Sequence, residues 1–274
     1  MVDSLVPDSI AIQSHKGTYE ARFTPSLLTD PSLLLEGEPH FIIDSNIARL
    51  YSQQLRSVLL HQNVILVDAT EQNKSLESAS RIITELVAQK TRRNHHLVAI
   101  GGGIIQDLVC FIASTLLRGV SWQLVPTTLL AQADSCIGSK SSINVGDAKN
   151  IVGTFYPPTK IFIDQNFLKT LHQSEIRSGI GEILKVHAID SAESFNRVAT
   201  SLDAITNDLD LLQPFIHSAL TIKKRYIEVD EFDEGIRNIF NFGHSFGHAI
   251  ESATNFGVPH GIGIEYVSRH FGSA

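Results

Sequence analysis

A chain of 274 residues is long enough for two domains and a sizeable core. Its 22 basic and 29 acidic side chains leave a net charge of −7, which excludes a nucleic-acid partner held by bulk charge but allows a local basic pocket. The two cysteines, Cys110 and Cys136, lie in apolar or small-residue runs without paired spacing, so free thiols and a reducing cytoplasm are expected. The chain opens without a charged leader and has no apolar stretch of membrane-spanning length, so a soluble cytoplasmic protein is expected.

Through the first 165 residues or so, short β-rich runs alternate with longer amphipathic ones. Strands are expected at 40–44, 64–68, 97–100, 123–126 and 160–164, with helices at 75–89 and 105–117. That alternation predicts a parallel sheet covered by helices. Beyond Ser174 the spacing becomes helical, at 176–187, 209–226 and 239–254, and strands disappear. The fold class is therefore an α/β, Rossmann-like dinucleotide-binding domain over 1–168, followed by a mainly α-helical domain over 169–274 that would carry the metal and substrate. The run from Gly261 to His270 starts as a helix directly after His260, and Phe271-Gly-Ser-Ala stops it; the expectation is a missing C-terminal portion.

Leu97-Val-Ala-Ile runs into Gly101-Gly102-Gly103 and then into a helical pattern containing Asp107. Glycines there let backbone amides approach a pyrophosphate at a helix N-terminus; a tight strand-to-helix turn is the plainer alternative. Asp44-Ser-Asn46 and Glu71-Gln-Asn-Lys74 follow the first two strands, where carboxylates hold ribose hydroxyls, and Thr127 and Thr128 end a later one. Arg118, Lys140, Lys149 and Asn150 flank a Gly/Ser-rich segment starting at Asp134, which suits a loop folded around an anion. Lys185, Lys223 and Arg237 follow. Any one of these cations alone reads as solvated surface charge; together they suit a phosphorylated substrate.

His244 and His248 stand four apart, on one face of a helix, with Asn241 three residues before His244. Glu182 upstream and His260 downstream complete a candidate zinc set of imidazoles and carboxylate. Spacing alone leaves open which of these groups are ligands.

The ordered series Gly-Gly-Gly-x-x-x-Asp107, Arg118-Gly, Pro-Thr127-Thr128-Leu-Leu-Ala-Gln, Asp134-Ser, Lys140, Lys149-Asn150, Glu182-x-x-Lys185, Arg237-x-x-x-Asn241-x-x-His244-x-x-x-His248 and His260-Gly resembles the 3-dehydroquinate synthase family, among the sugar phosphate cyclases. The resemblance implies Glu182, His244 and His260 as metal ligands for Zn2+, with Co2+ as the alternative. It makes His248 a phosphate-side or proton-handling group and not a ligand. It implies NAD contacts at Asp44, Asn46, Glu71, Lys74, Gly101, Gly102, Gly103, Asp107, Thr127 and Thr128, with Asp134 and Lys149 nearby. Substrate contacts follow at Lys140, Asn150, Lys185, Lys223, Arg237, Asn241 and His248, and Arg118 reaches across a homodimer interface.

Three departures from the family stand out: Gly138-Ser139-Lys140-Ser141 replaces the usual Gly-Gly-Lys-Thr, His187 follows Lys185-Val, and a C-terminal substrate lysine has no counterpart. The implied activity is a phosphate-eliminating lyase acting on 3-deoxy-D-arabino-heptulosonate 7-phosphate, in the shikimate pathway of aromatic amino acid biosynthesis. The alternatives are a cyclase of the 2-deoxy-scyllo-inosose or sedoheptulose 7-phosphate type, a metal-dependent polyol dehydrogenase, and an inactive truncated paralogue.

Overall fold

The computed structural model describes residues 7–241. Its strands are β1 (Ser9–Ser14), β2 (Gly17–Phe23), β3 (Pro39–Asp44), β4 (Val64–Val67), β5 (His96–Gly101), β6 (Ser121–Pro126), β7 (Lys140–Val145), β8 (Ala148–Phe155) and β9 (Lys160–Ile163). Its α-helices are α1 (Ser45–Leu50), α2 (Arg56–Leu59), α3 (Leu76–Ala88), α4 (Gly103–Thr115), α5 (Gln173–Asp190), α6 (Ala192–Asn207) and α7 (Gln213–Ile227). These segments form two units. One comprises Asp8–Thr127 and Gly138–Asn166; the other, among the described residues, comprises Pro7, Thr128–Ile137 and everything from Phe167 onward.

The first unit is built on a seven-stranded sheet in the order β1-β2-β9-β6-β5-β3-β4. The β1–β2 hairpin is antiparallel and the other pairings are parallel. A parallel strand covered on both faces reads as an unbroken apolar run, which is why 40–44 and 97–100 were legible. Phe41, Ile42, Ile43 and all of Leu97, Val98, Ala99 and Ile100 are fully buried. Each large aliphatic or aromatic side chain among them stabilises the fold by about 1.5–3 kcal/mol relative to exposure. α3 begins at its N-cap Ser75, whose hydroxyl accepts from the Ser78 amide, and it buries Ala79, Ile82 and Leu86 along one face.

The second unit is helical. α5 opens with a capping box in which the His172 ring accepts at the N-terminus and Glu175 reaches back to the His172 amide. Its core includes Ile176, Ile180, Ile183, Leu184, Val198, Ile205, Ile216 and Leu220. Gly179 lets α5 approach the 128–137 segment closely, because a Cβ at that position would lie 2.4 Å from Leu129 Cγ.

Four local expectations change. The β1–β2 hairpin is absent from the sequence reading, although its residues alternate between exposed and buried. The Gly/Ser-rich segment expected as one loop contains a π-helical turn, Ala131–Ser135, and then strand β7, which pairs with β8. Helix α6 is an element beyond those expected. The expected helix at 209–226 is divided into a 3-10 turn, Leu209–Leu212, and α7, because Pro214 fits only a first helical turn. Of the helix expected at 239–254, only the end of the 3-10 turn Ile236–Asn241 is described.

Candidate active site

In the sheet, β3 and β5 are neighbours, while the chain continues from β3 outward to β4 and from β5 in the opposite direction to β6 and β9. The crevice at the carboxyl ends of β3 and β5 is therefore a topological switch point, where open α/β sheets bind ligands. Asp44 ends β3, and its carboxylate accepts from the Asn46 amide at 2.9 Å as the N-cap of α1. Asn46 in turn accepts from Arg49 at 2.7 Å. Gly101 ends β5 opposite Pro126, and its carbonyl accepts from the Thr127 amide at 3.0 Å.

Gly102 is the N-cap of α4 and offers no side chain to the first-turn amides. At Gly103 a Cβ would meet nothing within 4 Å. That open space over an uncapped helix start is what a pyrophosphate needs.

The β7–β8 hairpin brings several sequence-selected residues together. Lys74 Nζ lies 2.6 Å from Asp107 Oδ2 and donates to Asn150 Oδ1 at 2.9 Å. Ser142 donates to the same Asn150 oxygen at 3.0 Å, and its amide points at Asp107 Oδ1 at 3.3 Å. Burial drives the Asp107 carboxyl above the ordinary carboxylate range, against the pull of the Lys74 ammonium. Asn144 ties the network to Glu71: its amide donates to Glu71 Oε1 at 2.9 Å, and its oxygen accepts from the Asn150 backbone at 2.9 Å. Asn150 sits in the left-handed region at φ 56°, a conformation asparagine tolerates better than most residues.

In the helical unit the cations gather with two carboxylates. Lys185 Nζ is 2.5 Å from Glu182 Oε2, one turn away on α5, and each side chain is 3% exposed. Lys223 Nζ on α7 is 2.9 Å from Asp134 Oδ2 and donates to the Asp134 carbonyl at 2.8 Å. Burial alone would lower both lysines. For Lys185 the Glu182 and Asp134 carboxylates outweigh it and raise the pKa above the ordinary lysine value. For Lys223 burial prevails: Asp134 opposes it, while Arg237 and Lys185 add repulsion, so the pKa is lowered. Arg237 is buried and donates to the Glu231 carbonyl at 2.6 Å.

Three positions that sequence reading passed over do structural work around these groups. Asp230 accepts from the backbone amides of Glu234, Gly235 and Arg237 at 2.9, 2.8 and 3.0 Å, which holds its carboxyl below the usual range and fixes the loop carrying Arg237. The acidic run ending in glycine, Asp230-Glu-Phe-Asp-Glu-Gly235, is the turn signal that could have found it. Asn144 and Ser142 were hidden because the hairpin was read as a loop, although Gly146-Asp147 between alternating residues marks a tight turn.

The remaining selected residues are placed as follows. Arg118 is exposed on a turn where it and Leu117 adopt φ of 63° and 51°. Lys140 and Lys149 are exposed on β7 and β8, and Thr128 accepts from the Ala131 amide at 3.2 Å. Asn241 ends a 3-10 turn, and its side chain lies outside what is described. His244, His248 and His260 also lie outside the described residues, among which no three His, Cys, Asp or Glu side chains converge to hold a metal. His187 is a structural residue: it is fully buried, with Nδ1 2.7 Å from the Ile183 carbonyl and Nε2 3.0 Å from Ser218 Oγ.

Residues 64–178 match the family model described as 3-dehydroquinate synthase N-terminal, and residues 179–267 match 3-dehydroquinate synthase C-terminal. A 3-dehydroquinate synthase of Enterococcus faecalis is 42% identical over 231 residues, covering 81% of this chain and 63% of the relative's own length. A 2-epi-5-epi-valiolone synthase from Streptomyces hygroscopicus, solved with NAD+ and Zn2+ bound, superposes with a TM-score of 0.79 at 28% identity, covering 90% of this chain and 71% of that one. A 2-deoxy-scyllo-inosose synthase gives the same TM-score, 0.79, at 25% identity, covering 93% and 75%. With both family models matched in order across most of its length, the chain belongs to the 3-dehydroquinate synthase family.

Proposed function

We propose that this chain acts as a 3-dehydroquinate synthase, converting 3-deoxy-D-arabino-heptulosonate 7-phosphate to 3-dehydroquinate and inorganic phosphate. The observation that carries the reading is the buried cation cluster of Lys185, Lys223 and Arg237 in one helical unit. Burying three cations is costly unless anions meet them; among the described residues Glu182 and Asp134 pair with the two lysines, whereas Arg237 makes no ion pair and has the Asp230 carboxylate only as a neighbouring charge. A substrate bearing a carboxylate and a phosphate supplies the remainder, whereas a neutral polyol does not. Lys223 and Arg237 suit the substrate carboxylate, with the planar guanidinium available for bidentate contact.

NAD fits the open start of α4 at Gly102 and Gly103, with Asp44, Glu71, Lys74 and Asp107 around the crevice and the 1–168 half of the chain carrying it. A divalent metal, Zn2+ or alternatively Co2+, fits Glu182, a buried carboxylate that would share it with His244 and His260 from the 169–274 half. When bound, NAD supplies a hydride acceptor and donor within one turnover, and the metal supplies Lewis-acid polarisation of a substrate hydroxyl. The chain's own groups bind and orient. Lys140 and Asn150 hold the phosphate and stabilise charge that develops as it leaves, with Arg118 doing so from a neighbouring copy in a homodimer. His248 and Asn241 handle protons at the phosphate side.

The test incubates the protein with the heptulosonate phosphate, NAD and Zn2+ while inorganic phosphate and NADH are followed together. Phosphate release without accumulating NADH is expected. NADH accumulating in step with turnover would assign a dehydrogenase, and release of neither would leave a chain that does not turn over; both contradict the proposal.

A further inference from the structure

A cavity of about 780 Å³ opens in the helical unit, lined by the end of α5, the first two turns of α6 and α7 from Pro214 to Ile222. That volume lies within the range of small-molecule sites, roughly 300–1,000 Å³. Pro7, Pro214 and Ile222 give it apolar wall, and Glu193, Arg197 and Ser218 give it polar groups.

The charges there are arranged unusually. Glu193 and Arg197 stand four apart on α6, a spacing at which opposite charges pair across one turn. Elsewhere the chain closes such pairs, Arg81 with Glu85 and Lys224 with Glu228, each at 3.7 Å. Arg197 instead crosses to α7 and donates to Ser218 Oγ at 2.8 Å. Among the described residues neither Glu193 nor Arg197 takes part in an ion pair.

A relay fixes the arginine in this position. The Ile183 carbonyl, 2.7 Å away, can only accept, so His187 Nδ1 carries the proton and Nε2 accepts from Ser218 at 3.0 Å. The Ser218 oxygen is then oriented to accept from Arg197. Asp190, the other carboxylate on the wall, is engaged by Arg225. The cavity thus presents a guanidinium whose remaining N–H groups lack a carboxylate, an uncompensated carboxylate a turn away, and an apolar surface.

We propose that this cavity binds a zwitterionic α-amino acid with an apolar side chain. Its carboxylate docks on Arg197, its ammonium faces Glu193, and its side chain lies against Pro7, Pro214 and Ile222. A dianion would be repelled by Glu193 and a simple cation by Arg197, so both charges are required together.

Calorimetric titration of the full chain tests this with L-leucine, L-isoleucine, L-methionine and L-phenylalanine. The single-charge probes are 4-methylpentanoate, which lacks the ammonium, and 3-methylbutylamine, which lacks the carboxylate. Saturable binding of at least one amino acid is expected, with both single-charge probes weaker by about ten-fold or more. Arg197→Ala and Glu193→Gln should each weaken the amino acid by a similar factor while circular dichroism stays unchanged. Absence of saturable heat with all four amino acids, equal binding of a single-charge probe, or undiminished binding in both variants overturns the proposal. Glu193 is exposed, so Glu193→Gln carries the test if Arg197→Ala fails to fold.

Discussion

At Lys223, stability and the proposed chemistry meet in one residue. Its ammonium is held by both the side chain and the backbone carbonyl of Asp134, in surroundings that disfavour its charge. Lys223→Ala leaves the Asp134 carboxylate without its cation, which costs about 3 kcal/mol in denaturant unfolding, and phosphate release falls by at least about ten-fold. A variant with unchanged midpoint and unchanged turnover would place Lys223 outside the site. Ser139, where the family usually has glycine, presents the opposite case. Its side chain is 1% exposed, and its hydroxyl has no hydrogen-bond partner among the described residues. Ser139→Ala is therefore expected to stabilise the protein, by about 1 kcal/mol at most, because an unsatisfied buried hydroxyl is removed. A lower melting temperature in that variant would mean the hydroxyl serves a partner.

At the scale of elements, helix α4 separates fold from ligand. Because a Cβ at Gly103 meets open space, Gly103→Ala fits the helix and removes backbone entropy, so the melting temperature is expected to hold or rise. NAD affinity is expected to drop by about ten-fold or more, measured by nucleotide fluorescence titration, since the methyl group occupies the pyrophosphate's approach. Unchanged affinity would remove the glycine run from the cofactor site. The elements legible in the sequence were those with a single dominant signal. β3 and β5 are continuous apolar runs, and α3 combines an N-cap serine with an apolar stripe. β7 and β8 were missed because their serines, lysines and asparagines serve a hydrogen-bonded network, and six of the eight β8 residues from Ala148 onward are exposed, so no apolar alternation marks the strand. Of the candidate site, the sequence singled out the glycines at the start of α4 and the buried lysines that the structure pairs with carboxylates. Asp230, Asn144 and Ser142 position other residues through the backbone, and such roles leave only faint marks in composition.

At the scale of the whole molecule, buried histidines set an acid limit. His40 and His187 are fully buried, and burial lowers the pKa of each below the ordinary 6.5; His96 and His217, more exposed, are lowered in the same way. Well above pH 6.5 these rings are neutral in both folded and unfolded chains and contribute no pH dependence. Below it the unfolded chain takes up protons that the folded chain refuses, so stability is lost as pH falls toward the folded values, by about 1.4 kcal/mol per pH unit for each buried ring. Urea unfolding between pH 7 and 5 should show that loss, and His187→Gln should flatten the slope by about one proton. A slope unchanged by the substitution would show that His187 titrates alike in both states.

The proposed function requires that oxidation and reduction occur on one substrate within one turnover. The most direct test uses heptulosonate phosphate deuterated at the carbinol carbon that is oxidised, with NAD and Zn2+. Full retention of deuterium at that carbon in the 3-dehydroquinate, with unlabelled dinucleotide recovered at the end, is the predicted result. Deuterium accumulating in free NADH, or hydrogen replacing it in the product, would contradict the account.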